Sequence, residues 1–386
     1  MLGALAGAAL ARPAIAQLRP VRIGVLGDST GMGAGSAGAD TAVRLAIADS
    51  GGRADGRRIE IVSGAFRWRP DEALAVARDW FDAQGVGAIM DAPGLAAPAA
   101  VQRLAQERGR SVLNTGSAHP DLTGAACVPV ATHWSDDMRA IAWALAAQAG
   151  RARWFLVATD TPFAAFVHRE AVRAIEAVGG SVAGLSRRPE GARAFEGAMA
   201  QAEASGAAAL GFCDPAPVLE LQMRAARAAG WGRPGRIAAA FAAIPADARA
   251  LGADADGFLV ARGFHWNDTD ATRAFAARFR DAAGALPDAP QAAAYVAARH
   301  WLAAVALGDE TDGAAANLEM RRNWAWAFGR RIKLRYDGRA ITDIAAYRLR
   351  GDGATGDPWA DAEKVATIPG ETAYALARRS GCPVPG

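Results

Sequence analysis

The sequence predicts an α/β protein built from two open sheets of parallel strands, each covered by helices on both faces. Three observations carry that prediction. Short apolar runs alternate with helical stretches from Val21 to Arg262. The alternation restarts near Arg153, after a loop containing Pro, His and Trp. The chain has 386 residues, room for two or three domains at ~150 residues each, so two lobes fit better than one long sheet.

Each element follows in order. An apolar strand is predicted over 21–26 and a helix over 37–49, with Val43, Ala46 and Ile47 on one face. A strand over 58–63 precedes a helix over 70–84. There Pro70 suits the first turn, Asp71 and Glu72 favour the helix N-terminus, and Gly85 stops it. Then come a strand over 86–90, a helix over 96–107, a strand over 111–114 and a helix over 136–149. The second series has strands over 154–158, 182–185, 207–212, 237–242 and 257–262, with helices over 163–178, 194–203 and 217–229. Beyond it two long helices are predicted over 271–283 and 290–307. A hairpin over 332–341 turns at Asp337-Gly338, and a last strand covers 344–350. No repeat of 20–50 residues is visible.

Composition narrows the function. Hydrophobic residues make up 52% and charged residues 22%, which excludes wholesale disorder. The net charge is +3 and no block of five or six like charges exists, so no nucleic-acid partner is expected. Lys333 and Lys364 are the only lysines among 43 basic residues. With so much alanine and glycine, this reads as the codon bias of a GC-rich genome.

Residues Met1 to Ala16 form a short apolar run, an Arg-Pro break and then Ala-Ile-Ala, a small-x-small cleavage signature. The expectation is a signal peptide with a mature chain from Gln17 and a periplasmic destination. The run has no positive n-region, so the true start is expected upstream of Met1. It resembles the apolar half of a twin-arginine signal without the arginines. No other segment approaches ~18 uninterrupted apolar residues.

The cysteines are Cys127, Cys213 and Cys382, at spacings that fit no zinc or redox motif. Cys127 and Cys382 lie in loop-like surroundings, whereas Cys213 follows an apolar strand. A Cys127–Cys382 bridge is therefore expected, against the alternative of three reduced thiols. His119 and His133 fall in loops, and His168 and His300 on helices. None has a partner at metal-ligand spacing, so they read as surface or capping residues and no metal site is expected.

Ligands of open parallel sheets bind at the carboxyl ends of the strands. The residues to weigh are therefore Gly27 to Gly31, Asp91 to Leu95, Thr115 to Ser117, Thr159 to Phe163, Cys213 to Pro215 and Gly263 to Asn267. Two catalytic motifs fail on context. Gly33-Ala-Gly35-Ser-Ala-Gly38 matches the dinucleotide fingerprint, but it stands too far beyond the strand and lacks the acid after the second strand. Gly27-Asp28-Ser29 resembles the start of a GDSL-type secreted esterase with Ser29 as nucleophile. None of the five histidines has the Asp three residues earlier that would mark its base.

A family resemblance rests on an ordered set of landmarks. They include Ala77 to Asp82 before Gly85-Val86, Leu113-Asn114-Thr115-Gly116, and Asp121-Leu122-Thr123-Gly124 leading to Cys127-Val128-Pro129. His133-Trp134, Phe264-His265-Trp266, Arg335 to Arg339, Pro358-Trp359, Ile368-Pro369-Gly370 and Gly381-Cys382-Pro383 continue it. From Val21 to Cys382 this order resembles the periplasmic substrate-binding proteins of branched-chain amino-acid (Leu/Ile/Val-binding) ABC importers, of the type I periplasmic-binding fold. The resemblance implies two Rossmann-like lobes joined by a three-crossover hinge, with lobe 1 at about 20–139 plus 263–342 and lobe 2 at about 140–262 plus 343–386. It implies a monomer without catalysis or cofactor. Such a protein closes on an amino acid or small carboxylate, aromatic ones included, and delivers it to permease subunits. A sensor of the same fold is the alternative.

The resemblance places the ligand carboxylate on Leu95-Ala96 and Thr115-Gly116-Ser117, where backbone amides suit an anion. It departs from the family pattern elsewhere. Leu95 stands where relatives have Ser. Thr161 and its neighbours replace a loop bearing a closing aromatic, and Asp214 stands among residues usually small. After the second strand come Phe66-Arg67-Trp68-Arg69. Arg67 and Arg69 could clamp an acidic ligand, and Trp68 or Trp266 could stack on a ring. The competing reading is a solvated loop with Trp68 packed on a helix.

Overall fold

The computed structural model describes residues 18–29, 38–67, 69–90, 97–115, 131–133, 138–242, 251–308, 312–335, 338–351, 353, 355 and 357–374. The first sheet has six strands: β1 (Val21–Asp28), β2 (Arg53–Ala54), β3 (Arg57–Phe66), β4 (Ala88–Met90), β5 (Ser111–Asn114) and β6 (Ala131–His133), in the order β2-β3-β1-β4-β5-β6. All pairings are parallel except the short β2–β3 hairpin. Helices α1 (Ala39–Asp49), α2 (Pro70–Asp82) and α3 (Ala97–Glu107) connect these strands.

Alternation along the strands builds two cores. Val21, Ile23 and Val25 of β1 join Ala88 and Met90 of β4 on one face. Leu26, Ile89 and Val112 point to the other, under Trp80 and Phe81 of α2 and Val101 and Leu104 of α3. This period of two is what a sheet buried on both faces requires.

The second sheet has seven strands. They are β7 (Arg153–Thr159), β8 (Ser181–Arg188), β9 (Ala209–Phe212), β10 (Ile237–Ala240), β11 (Leu259–Arg262), and later β15 (Ile344–Arg348) and β16 (Glu363–Ile368). The order is β16-β15-β11-β10-β9-β7-β8. Trp154, Leu156 and Ala158 face a core with α4 (Met138–Ala149) and α5 (Pro162–Ala177). Phe155 and Val157 face the other, with α6 (Glu196–Ala204) and α7 (Val218–Ala228). The predicted all-parallel sheet is corrected at its edge: β15 runs antiparallel to β11, and β16 antiparallel to β15. β15 enters this sheet only after the excursion through residues 263–343, and residues 349–362 join it to β16.

Between β11 and β15 the chain returns to the first core. Helices α8 (Asp270–Ala283), α9 (Ala289–Val305) and α10 (Gly313–Arg322) lead to a small antiparallel sheet of β12 (Ala325–Ala327), β13 (Arg330–Leu334) and β14 (Ala340–Ile341). Phe275, Phe279, Trp301, Met320 and Ile332 all pack on the β1 face. A last turn, α11 (Gly370–Ala373), packs through Ala373 into the core that α4 and α5 form on the second sheet. The chain thus crosses between the two sheet systems after β6, after β11 and after β14. This is the type I periplasmic-binding arrangement. The predicted hairpin is present, with Leu334 opposite Ala340. No described helix is long and apolar enough to cross a membrane.

Candidate functional site

The carboxyl edge of the first sheet is built by the ends of β1, β3, β4 and β5. After β1, Ser29 donates its hydroxyl to the Phe66 carbonyl at 3.1 Å, and its amide donates to the same oxygen at 3.0 Å. The hydroxyl ties β1 to β3, and no imidazole among the described residues is hydrogen-bonded to it.

After β3, Phe66 is buried and Arg67 is exposed. Arg67 donates to Glu72 at 3.0 Å from both its backbone amide and its guanidinium. Arg69 pairs with Asp71 at 2.8 Å. Both acids stand in the first turn of α2, where the helix end also favours negative charge. The arginines hold the Glu72 and Asp71 carboxyls below their usual range, Arg67 dominating at Glu72.

β5 ends in Asn114, followed by Thr115; they are 1% and 0% exposed. Asn114 Nδ2 donates to Gln102 Oε1 of α3 at 3.1 Å. Neither Asn114 Oδ1 nor Thr115 Oγ1 has a hydrogen-bond partner among the described residues. An orphaned buried polar atom costs about 1–3 kcal/mol, and native proteins keep few of them. These two are adjacent and stand at the carboxyl end of β5. Thr115 was singled out from sequence. Asn114 and Gln102 were not, although a polar Asn closing an apolar strand is a readable signal. Leu95, Ala96, Gly116, Ser117 and Trp68 lie outside the described residues, as do Cys127, Cys382 and the segment 1–17.

At the corresponding edge of the second sheet a buried carboxylate is engaged, while Gln222 Oε1 has no partner among the described residues. Asp214, two residues beyond β9, is 1% exposed. Its carboxylate accepts from the Thr159 amide at 2.9 Å, from the Thr159 hydroxyl, and from Gln222 Nε2 at 2.6 Å. Asp214 thus clamps the ends of β7 and β9 to α7. Burial, with the Asp214 carboxylate beside it, pushes the Cys213 thiol well above its usual range, so Cys213 is an inert core residue. Thr161 caps α5, its hydroxyl accepting from the Ala164 amide at 3.2 Å. Thr161 and Asp214 therefore share one sheet edge, while Arg67 and Thr115 share the other.

The crossing segments hold the buried charge. Arg262, 3% exposed at the end of β11, reaches Asp288 at 3.3 Å and stacks on Trp359 at 4.3 Å. Asp268 pairs with Arg330 of β13 at 2.6 Å and with Lys364 of β16. A cavity of about 120 Å3 lies here, lined by His265, Asp268, Arg330 and Tyr347 among others. Trp266 packs on the first core, and its indole nitrogen has no partner among the described residues. His265 and His300 are buried, so His300 is corrected from a surface or capping residue to a core one. It lies 3.2 Å from the Asn323 carbonyl. Burial lowers His265 to about 3, helped by Arg262, and lowers His300 to about 4. His133 belongs to β6 and not to a loop. No group of three or more His, Cys, Asp or Glu that could hold a metal ion occurs among the described residues.

Comparison with known proteins agrees with this architecture. A family model described as periplasmic binding protein matches residues 20–354. No curated protein matches the sequence. The chain is similar to the crystal structure of a branched-chain amino acid ABC transporter periplasmic ligand-binding protein from Burkholderia xenovorans. Identity is 29%, coverage is 92% of this chain and 96% of that one, and the TM-score is 0.85. A periplasmic binding protein from Burkholderia mallei is similar at 27% identity, with coverage of 92% and 96% and a TM-score of 0.80. A solute-binding protein of an ABC transporter from R. palustris, in complex with 4-hydroxybenzoate, shares the fold at 18% identity, with coverage of 93% and 100% and a TM-score of 0.79.

Proposed function

Because the chain belongs to the periplasmic binding protein family, we propose that it is the solute-capturing component of an ABC importer. It takes an amino acid or small carboxylate between its two lobes and presents the closed form to the permease. The lobes are 20–139 plus 263–342 and 140–262 plus 343–386, and the protein works as an exported monomer without catalysis. The observation that supports this reading best is the pair of orphaned buried polar atoms, Asn114 Oδ1 and Thr115 Oγ1, at the carboxyl edge of the first sheet. The following Gly116 and Ser117, with Leu95 and Ala96 before α3, complete the anion-holding edge. Arg67, Trp68, Thr161, Asp214 and Trp266 are assigned to the rim and the opposing wall.

Thermal unfolding against a panel of branched-chain amino acids and benzoates tests the proposal. A solute that binds only the folded protein raises the melting temperature in a saturable way. A saturable shift with the solute recovered unchanged is expected. Hydrolysis of a generic ester that Ser29→Ala abolishes would overturn the reading, as would a panel without any shift.

A further inference from the structure

The opposite, amino-terminal edge of the second sheet carries a groove of about 630 Å3. Its walls come from separate stretches: the last turn of α7, the loop 232–237 leading into β10, Asp256-Gly257 before β11, and the end of β15. Arg227, Arg233, Arg236, Arg348, Arg350 and a single acid, Asp256, line it. The floor is set by backbone packing. Gly257 has φ +81°, and a Cβ there would meet the Gly232 carbonyl oxygen at 1.8 Å, so the two loops interlock at glycine.

Three of the five arginines have structural duties. Arg227 sits near the C-terminal end of α7, where a cation complements the helix dipole, and donates to the Asp256 carboxylate at 3.0 Å. Arg236 pairs with Glu203 and lies over the Trp231 ring at 4.1 Å. Arg350 pairs with Glu363. Arg233 and Arg348 remain without a carboxylate partner among the described residues. Arg348 donates to the Gly257 carbonyl at 3.4 Å, and Arg233 stands exposed on its loop. The near-zero balance of the whole chain conceals this local surplus.

We propose that this groove is a second binding site, for a phosphate-bearing anion of at least two negative charges. Planar guanidinium forks match phosphate oxygens bidentately. The volume falls in the ~300–1,000 Å3 range of small-molecule sites. The site lies on the sheet edge away from the proposed cleft and stands apart from whatever the cleft binds.

Inorganic pyrophosphate, titrated calorimetrically into the whole protein at constant ionic strength, is the probe. Saturable binding is expected, weakened about tenfold or more by removal of each guanidinium, in Arg233→Ala and in Arg348→Ala. Melting curves of both variants check folding. Should Arg348→Ala not fold, Arg233→Ala on the exposed loop carries the test alone. Flotation with phosphatidylglycerol vesicles, against phosphatidylcholine vesicles, separates the two sources of phosphate. Binding that Arg233→Ala weakens in both assays assigns a lipid headgroup, and in the pyrophosphate assay only, a free phosphate. Wild-type pyrophosphate affinity in Arg233→Ala, or no saturable binding by the unaltered protein, overturns the proposal.

Discussion

The buried Thr115 hydroxyl has no partner among the described residues, and in the proposed function a bound solute relieves that penalty. Thr115→Val removes the penalty at nearly constant volume. The expected outcome is a ligand-free protein more stable by about 1 kcal/mol with solute affinity reduced about tenfold or more, read by paired melting and calorimetry. Lower stability with unchanged affinity would make the hydroxyl structural. The buried histidines act through pH. Unfolded, each takes a proton near 6.5; folded, His300 holds out to about 4 and His265 to about 3. Their contribution is therefore complete above pH 6.5 and lost as pH falls towards 4, by about 1.4 kcal/mol per pH unit for each. Urea midpoints at pH 7 and 5 measure this, and His300→Gln should flatten the slope; equal midpoints would refute it. Thr115 was legible because it follows an apolar strand. Asn114 could be read the same way, but Gln102 could not, because its pairing with Asn114 is a tertiary fact. Arg67 looked free from its loop, yet Glu72 five residues on claims it. The arginine groove was illegible because its residues come from stretches far apart in sequence.

At the level of elements, one indole sets how α2 seats on its sheet. A Cβ on Gly24 of β1 would stand 2.4 Å from Trp80, and one on Gly64 of β3 would stand 2.7 Å from it. The six-membered ring of the indole therefore packs closely against two glycines of adjacent strands. Gly24→Ala should cost on the order of 1–3 kcal/mol by overpacking. Trp80→Leu also destabilises, but the double variant should lose less than the sum, because the smaller side chain makes room for the methyl. Strict additivity in chemical denaturation would break this link between β1 and α2. The strand–helix alternation was legible because each buried strand is an apolar run and each helix repeats its apolar face. β16 was not: Glu363–Ile368 opens on two exposed charges and fully buries only Ile368, as an edge strand can. α10 was missed because its sequence, GAAANLEMRR, has a weak apolar face and Gly313 at its start. Pairing direction at the sheet edge was equally hidden, since antiparallel β15 is as apolar as the parallel strands it joins.

Across the whole molecule, two sheets, each with a core on either face, must unfold together or apart, and the crossing segments decide which. Asp268, with its side chain 7% exposed, serves both: Arg330 belongs to the small sheet on the first core, and Lys364 to the edge of the second sheet. Arg262 acts alongside it, running from β11 to Asp288, which precedes α9. An acid removed from between two cations leaves them facing one another. Outright burial of such a pair would make that loss worth ~3–5 kcal/mol. Here the cations are each 36% exposed, so solvent screens much of it and about 1–2 kcal/mol is expected. The more telling consequence is cooperativity. If Asp268 ties the cores into one unit, scanning calorimetry of the unaltered protein gives a single transition whose calorimetric and van't Hoff enthalpies agree. Asp268→Asn, nearly isosteric, should then broaden or split that transition and drop the van't Hoff value below the calorimetric one. A solute gripped by both lobes should restore the single transition, because binding favours the state in which the lobes act together. A sharp, unshifted transition in Asp268→Asn would mean that the cores are coupled through the crossing backbone alone.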